Sequence, residues 1–110
     1  MKNIQLLKTF ELGRVPEGEK NKELTEIYNG ARRRIVEVRL RNSEILAKHK
    51  ANEPITVLCL AGSGRFLAGK NLEDEQKLVA GILLTLEAEV EHEVVAEPDI
   101  HILVMKFKGV

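Results

Sequence analysis

The sequence predicts an all-β protein, a sandwich or barrel of short strands, and three observations carry that expectation. The stretch "RRIVEVRLR" alternates cleanly, with Val36, Val38 and Leu40 on one face and Glu37, Arg39 and Arg41 on the other. That period of two belongs to a half-buried strand. "PITVLCLAG" (Pro54–Gly62) is β-branched and apolar on both faces, which marks a central, buried strand. Glycine and proline punctuate the chain at close spacing, as in "GSGRFLAGKN" and Glu97-Pro98-Asp99, a pattern typical of many short strands joined by turns.

The remaining elements follow in order. Ile4 to Leu12 reads as a small amphipathic strand, and Gly13–Lys22, rich in Gly, Pro and charge, as a loop. "ELTEIYNG" predicts a short strand ending at an Asn29-Gly30 turn. After "RRIVEVRLR" a turn at Asn42-Ser43-Glu44 leads into Ile45–Lys50, where alternation resumes. "GSGRFLAG" reads as a hairpin turn with a short strand, "KLVAGILLTLE" and "HEVVA" as two further strands, and "IHILVMKF" as the last. Leu78, Val79, Ile82, Leu83 and Leu86 also fit helical spacing, and residues 72–93 are rich in helix formers. What decides against a helix there is the motif spacing described below.

Composition narrows the classes of function. With 110 residues the chain is expected to be one domain. Lys plus Arg and Asp plus Glu number 17 each, so no global field attracts nucleic acid or an anionic membrane surface. A single cysteine, Cys59, forms no internal disulfide and rules out a cysteine-rich zinc module. No apolar run approaches the roughly 18 residues that span a bilayer, and the opening residues do not read as a signal sequence. The expected setting is cytoplasmic. Near-zero net charge favours self-association, so a homo-oligomer is the expected assembly.

Two histidines occupy positions where solubility alone gives no reason for them. His49 is in phase with Ile45, Ala47 and Ala51, while Lys48 and Lys50 point the other way. His92 shares a face with Ala88, Val90, Val94 and Ala96, opposite Glu87, Glu89, Glu91 and Glu93. An imidazole among apolar groups needs partners for its ring nitrogens, and a metal ion, a ligand or a water can supply them. If the two rings meet across a barrel, a pocket lined by His49, His92, Ile55, Val57 and Cys59 is the candidate site. Cys59 would be in phase to offer a third ligand, and alternation leaves the facing of His101 open. The arginines of "ARRRIVEVRLR" read as a solvated outer face, paired with the glutamates of 87–93. Ser63 has no base and acid arranged around it, so nucleophilic catalysis has no support.

"SEILAKHKANEPITVLCLAG" and "GILLTLEAEVEHEVVA" together resemble the two motifs of the small single-domain cupins. In the first, Ser43 stands at the opening glycine, His49 at the first histidine and Gly62 at the closing glycine. Ala51 replaces the second histidine and Ile55 the glutamate. In the second, Gly81 and His92 hold the glycine and histidine positions, while Glu87, Glu89 and Ala96 replace proline, glycine and asparagine. The resemblance covers roughly residues 30–107. It implies a double-stranded β-helix, the jelly-roll barrel of the cupins, often homodimeric, with residues 1–29 as N-terminal strands and loop. It also implies a small-molecule ligand in the barrel interior. In metal-binding cupins two histidines and a glutamate join the second-motif histidine around one ion. Of those four positions His49 and His92 keep a ligand here, so the implied cofactor is one divalent ion (Fe, Mn, Ni, Cu or Zn) or none. A metal-free, non-catalytic interaction or sensory module is the alternative.

Overall fold

The computed structural model describes residues 3–11 and 20–109. Seven strands follow in chain order: β1 (Lys22–Asn29), β2 (Arg33–Leu40), β3 (Ile45–His49), β4 (Ile55–Ala68), β5 (Asp74–Val79), β6 (Leu83–Leu86) and β7 (His92–Phe107). All pairings are antiparallel, and the main path runs β1-β2-β7-β4-β5. β3 also pairs β7, and β6 also pairs β4. Expectation and structure agree on an all-β jelly roll, and residues 72–93 contain β5, β6 and the start of β7 rather than a helix.

The two long strands organise everything else. β4 and β7 pair from Ile55 opposite Lys106 to Ala68 opposite His92. The first half of β4 takes β6 on its other edge and the second half takes β5. The second half of β7 takes β2, and its first half takes β3. One ribbon therefore contributes to two half-sheets, and their inner residues face each other across the interior. "GSGRFLAG" is accordingly no hairpin: it continues β4 through two register shifts, at Cys59/Ala61 and Gly62/Gly64. Such bulges bend a strand while preserving its pairing. Gly62 takes the left-handed conformation there, at φ 81°, which glycine adopts without steric cost. Gly64 is needed for a different reason, because a Cβ there would lie 2.2 Å from the Val95 carbonyl oxygen.

The expected turn at Glu97-Pro98-Asp99 is likewise part of a continuous strand. β4 partners jump from Ala96, opposite Gly64, to Ile100, opposite Gly62. β3 reaches only Val95 and β2 only Ile100. Pro98 thus sits in the gap between ladders, where its missing N–H interrupts nothing. The turns at 29–30 and 42–44 form as expected, Asn42 and Ser43 both adopting positive φ.

The core fills the space between the half-sheets. Leu40, Val57, Leu78, Ala96, Ile100 and Ile102 are fully buried. The outer face of β2 and β7 is less simple than a solvated strand. Glu37 and His101 are only 2% and 1% exposed, and His101 Nε2 lies 2.6 Å from Glu37 Oε2. The carboxylate only accepts, so Nε2 carries the proton. Lys8 Nζ (2.6 Å) and an Arg39 nitrogen (3.0 Å) complete the shell of Glu37, and Phe10 packs edge-on against His101. Residues 4–11 form no strand; Leu12, the last residue of the expected one, lies outside the described residues. Lys8 and Phe10 instead anchor the segment over this buried cluster. Among the described residues the ion pairs differ from those expected between the arginines and the glutamates of 87–93: Arg39 pairs with Glu37 and Glu23, whereas Glu89 and Glu91 pair with Lys50 and Lys48.

This cluster makes the fold sensitive to acid. Burial alone would raise the Glu37 carboxyl, but hydrogen bonds from Lys8 and His101 and the charge of Arg39 hold it below its ordinary 4.5. Burial pushes the His101 imidazole below its ordinary 6.5, with the hydrogen bond to Glu37 pulling the other way. Both folded-state values are depressed, so the unfolded chain binds protons first as pH falls. The stability they contribute is complete above 6.5. It declines below that as His101 comes into play, and again below 4.5 through Glu37. Melting temperature is expected to fall steadily from pH 7 to pH 4, with His101→Gln flattening the upper part of that slope. Equal slopes in the two proteins would show that the cluster does not set the acid limit.

Candidate functional site

A cavity of about 270 Å³ lies between the half-sheets. Its wall is chiefly aliphatic: Val36 and Val38 of β2, Ile55 and Val57 of β4, and Ile102 and Val104 of β7 all line it. These residues face inward because they share one phase on three adjacent strands. His49, His92 and Phe66 contribute the other half-sheet's share.

The two histidines are neighbours, not residues meeting across the interior. His49 pairs with His92 where β3 lies beside β7. The ring centroids are 4.2 Å apart, at 62° to one another. The route by which His49 turns inward differs from simple alternation. Ile45 points outward and is 41% exposed, while Leu46 lines the cavity. A register shift between Leu46 and His49 then brings His49 and Ala51 into the phase of Leu46. Bulges commonly re-aim a side chain in this way. His92 is buried and stacks on Phe66, with centroids 5.6 Å apart and ring planes 11° from parallel. His49 is exposed, so the pair runs from the mouth of the cavity inward.

Hydrogen bonding fixes the tautomer of both rings. His49 Nδ1 lies 2.7 Å from the Ala47 carbonyl oxygen, and His92 Nδ1 lies 3.0 Å from that of Val90. A carbonyl only accepts, so each Nδ1 donates, and in the neutral ring it is Nε2 that keeps the lone pair. Neither Nε2 has a hydrogen-bond partner among the described residues. Burial lowers the His92 pKa from its ordinary 6.5, with the Val90 carbonyl opposing and the charges of His49 and Lys106 adding to the fall. His92 is therefore neutral at pH 7, with a basic nitrogen free.

Cys59 does not line the cavity. It is in phase with Ile55 and Val57, but it sits at the corner of β4 where the Ala80–Ile82 turn closes over it. Gly81 N donates to the Cys59 carbonyl, and Cys59 N donates to that of Ile82. Its thiol is 1% exposed, 3.6 Å from the Ala61 carbonyl oxygen, and burial raises its pKa. It packs as a small apolar residue. His101, whose facing the sequence left open, points outward to Glu37.

The donor set does not complete a divalent-metal site. The two Nε2 atoms have the tautomer and carbonyl support that metal-bound histidines show. However, protein-held ions normally take three or four such donors, and Ala51 and Ile55 bring alkyl groups to the same wall. Among the described residues no cluster of three His, Cys, Asp or Glu side chains is placed to hold an ion.

Three charged lining residues were not anticipated: Glu26 of β1, Arg34 of β2 and Lys106 of β7. Arg34 Nε lies 3.4 Å from Glu26 Oε1. The signal was present in the alternation, since Arg34 is in phase with Val36, Lys106 with Val104, and Glu26 with Leu24. Reading "ARRRIVEVRLR" as an outward basic strip concealed it.

No protein-family profile and no curated protein sequence matches the chain. Its shape does match solved structures. A cupin superfamily protein from Desulfitobacterium hafniense superposes with a TM-score of 0.78 at 14% identity, covering 96% of this chain and all of that one. A conserved protein of unknown function from Streptococcus pyogenes gives 0.75 at 12% identity, covering 98% of each chain. An RmlC-like cupin protein from Desulfovibrio desulfuricans gives 0.71 at 20% identity, covering 96% of this chain and 94% of that one. Seven antiparallel strands, a paired long-strand ribbon and these likenesses agree: the chain has the fold of a small cupin.

Proposed function

We propose that the barrel binds one small, largely apolar molecule and anchors its polar group on the Nε2 atoms of His49 and His92. The observation that carries this reading is the pairing of two Nδ1-tethered imidazoles with an otherwise mostly aliphatic cavity of about 270 Å³. A volume near the lower end of ligand pockets, about 300 Å³, suits a single small compound. In that setting the neutral His92 ring accepts a hydrogen bond from a ligand hydroxyl or N–H and can take up a proton, with His49 Nε2 as the second polar contact. Ile55 and Val57 hold the ligand's hydrocarbon part; Cys59 contributes only to the core behind them.

The reading involves no resident metal, since two nitrogen donors are too few. The alternative, a non-catalytic interaction or sensory module, draws support from Ala51 and Ile55, which supply no polar group to the cavity. No helix among the described residues is long and apolar enough to cross a membrane. A buried free cysteine suits the cytoplasmic location we propose. We further propose a homodimer: Ile4 and Leu6 are 66% and 73% exposed, and Leu24 on the edge strand β1 is 53% exposed, an arrangement that invites pairing with a second copy.

Methyl NMR with phenol and toluene tests the histidine anchor. Phenol is expected to shift Val57, Val94 and Ile102, and His49→Phe with His92→Phe to weaken it roughly two- to tenfold while sparing toluene. Undiminished phenol binding in that variant would remove the histidines from the site. Elemental analysis of protein purified without a histidine tag should give well under one equivalent of metal, in wild type and variant alike. Near-stoichiometric metal that disappears in the variant would restore the ion-binding reading. Sedimentation should show a dimer that Leu6→Asp dissociates, and a wild-type monomer would refute the assembly.

A further inference from the structure

The charged end of the cavity is unbalanced. Arg34 and Lys106 stand directly opposite one another on β2 and β7, and both line the cavity. Like charges at opposed positions of an antiparallel pair destabilise the sheet. Only one carboxylate joins them on the lining, Glu26, and it is engaged with Arg34 at 3.4 Å. Lys106 has no ion pair or hydrogen bond among the described residues. Its charge reaches His92, whose pKa it helps to lower. One positive charge is thus left over at a partly enclosed, mostly aliphatic wall, where a counter-charge is worth more than in open water.

Resting on the ligand-binding reading above, we propose that the cavity selects a small monocarboxylate: Lys106 binds the carboxylate, the aliphatic wall holds the hydrocarbon part, and the histidine pair accepts from a hydroxyl or N–H where the ligand carries one. A single negative charge balances the single excess positive one. A phosphate monoester, at about −1.5 to −2 near pH 7, would overcharge the site and bring more oxygens than one lysine satisfies. A neutral compound would leave Lys106 unpaired beside Arg34. The unfavourable cation pair is then explained as stability given up for binding, a common feature of functional sites.

Calorimetry with matched probes separates this inference from the reading beneath it. The probes are benzoate with benzamide, phenylacetate with phenylacetamide, and hexanoate with hexanamide, titrated into wild type, Lys106→Gln and Lys106→Arg. At least one acid is expected to bind at least about tenfold tighter than its amide, as a charge-assisted hydrogen bond implies. Lys106→Gln should abolish that preference without weakening the amide, and Lys106→Arg should retain much of it. Relief of the like-charge pair should also raise the melting temperature of ligand-free Lys106→Gln above that of wild type. Amides that bind as well as acids, or acids unaffected by Lys106→Gln, would overturn the charge selection and leave the ligand-binding cavity standing. Failure of all six probes to bind would overturn both.

Discussion

The antiparallel ladder between β4 and β7 is the constraint on which the rest depends. Along a straight strand the fourteen steps from His92 to Lys106, at roughly 3.3 Å each, would put the two residues about 46 Å apart. That exceeds the molecule's longest axis, 43 Å. Both nonetheless line one cavity, because the ladder bends where β4 is bulged at Cys59–Gly64 and where β7 owes no ladder bonds at 97–99. The glycines at 62 and 64 are therefore as much a part of the site as the residues facing it. Gly62 permits the left-handed turn, and Gly64 lets the two backbones approach closely enough for pairing to resume.

The two faces of the β2–β7 pair resolve the same electrostatic problem differently. On the outer face, Glu37 is buried but fully engaged, with Lys8, Arg39 and His101 around it. Burying an ion is unfavourable unless it is paired and hydrogen-bonded, and here the N-terminal segment supplies one of the partners. On the inner face, the Arg34–Lys106 pair has a single carboxylate for two cations, and Arg34 engages it. Chain from the N-terminal segment completes the outer cluster. The inner one opens on a cavity, where a ligand can do so.

Much of the fold was legible because it rests on period-two alternation. Val36, Val38 and Leu40 face inward as read, and the apolar run from Pro54 marks the central strand. The same rule failed wherever a bulge changed the phase. Strict alternation back from His49 predicts Ile45 inward and Leu46 outward, and the register shift before His49 reverses both while the histidine itself faces the cavity. Glycine at 62 and 64 and proline at 98 predict breaks, yet each lies inside a continuous strand. Their physical role is the one expected of them, a backbone freed from regular pairing; local sequence does not say whether the chain then turns or bends. Among the proposed lining residues, His49, His92, Ile55 and Val57 are brought to one cavity, whereas Cys59 shares the phase of Ile55 and Val57 but sits at the bend, under the turn at 80–82. Phase fixes a face of the sheet, and position along the strand decides what that face meets.

The same distinction bears on what Ala51 and Ile55 mean. Each lines the cavity, so their side chains do not fall elsewhere in the fold. They bring alkyl surface to the wall, which lowers the polarity around the remaining groups. Hydrogen bonds and ion pairs strengthen as their surroundings become less polar, and unpaired polar groups become costlier for the same reason. Two imidazole nitrogens and one lysine beside such a wall are few polar groups, but each counts for more there than in a hydrated cleft. In the proposed reading, a site with few polar groups is therefore not a weak one: each group left at the wall sharpens discrimination among small molecules by their charge and hydrogen-bonding groups.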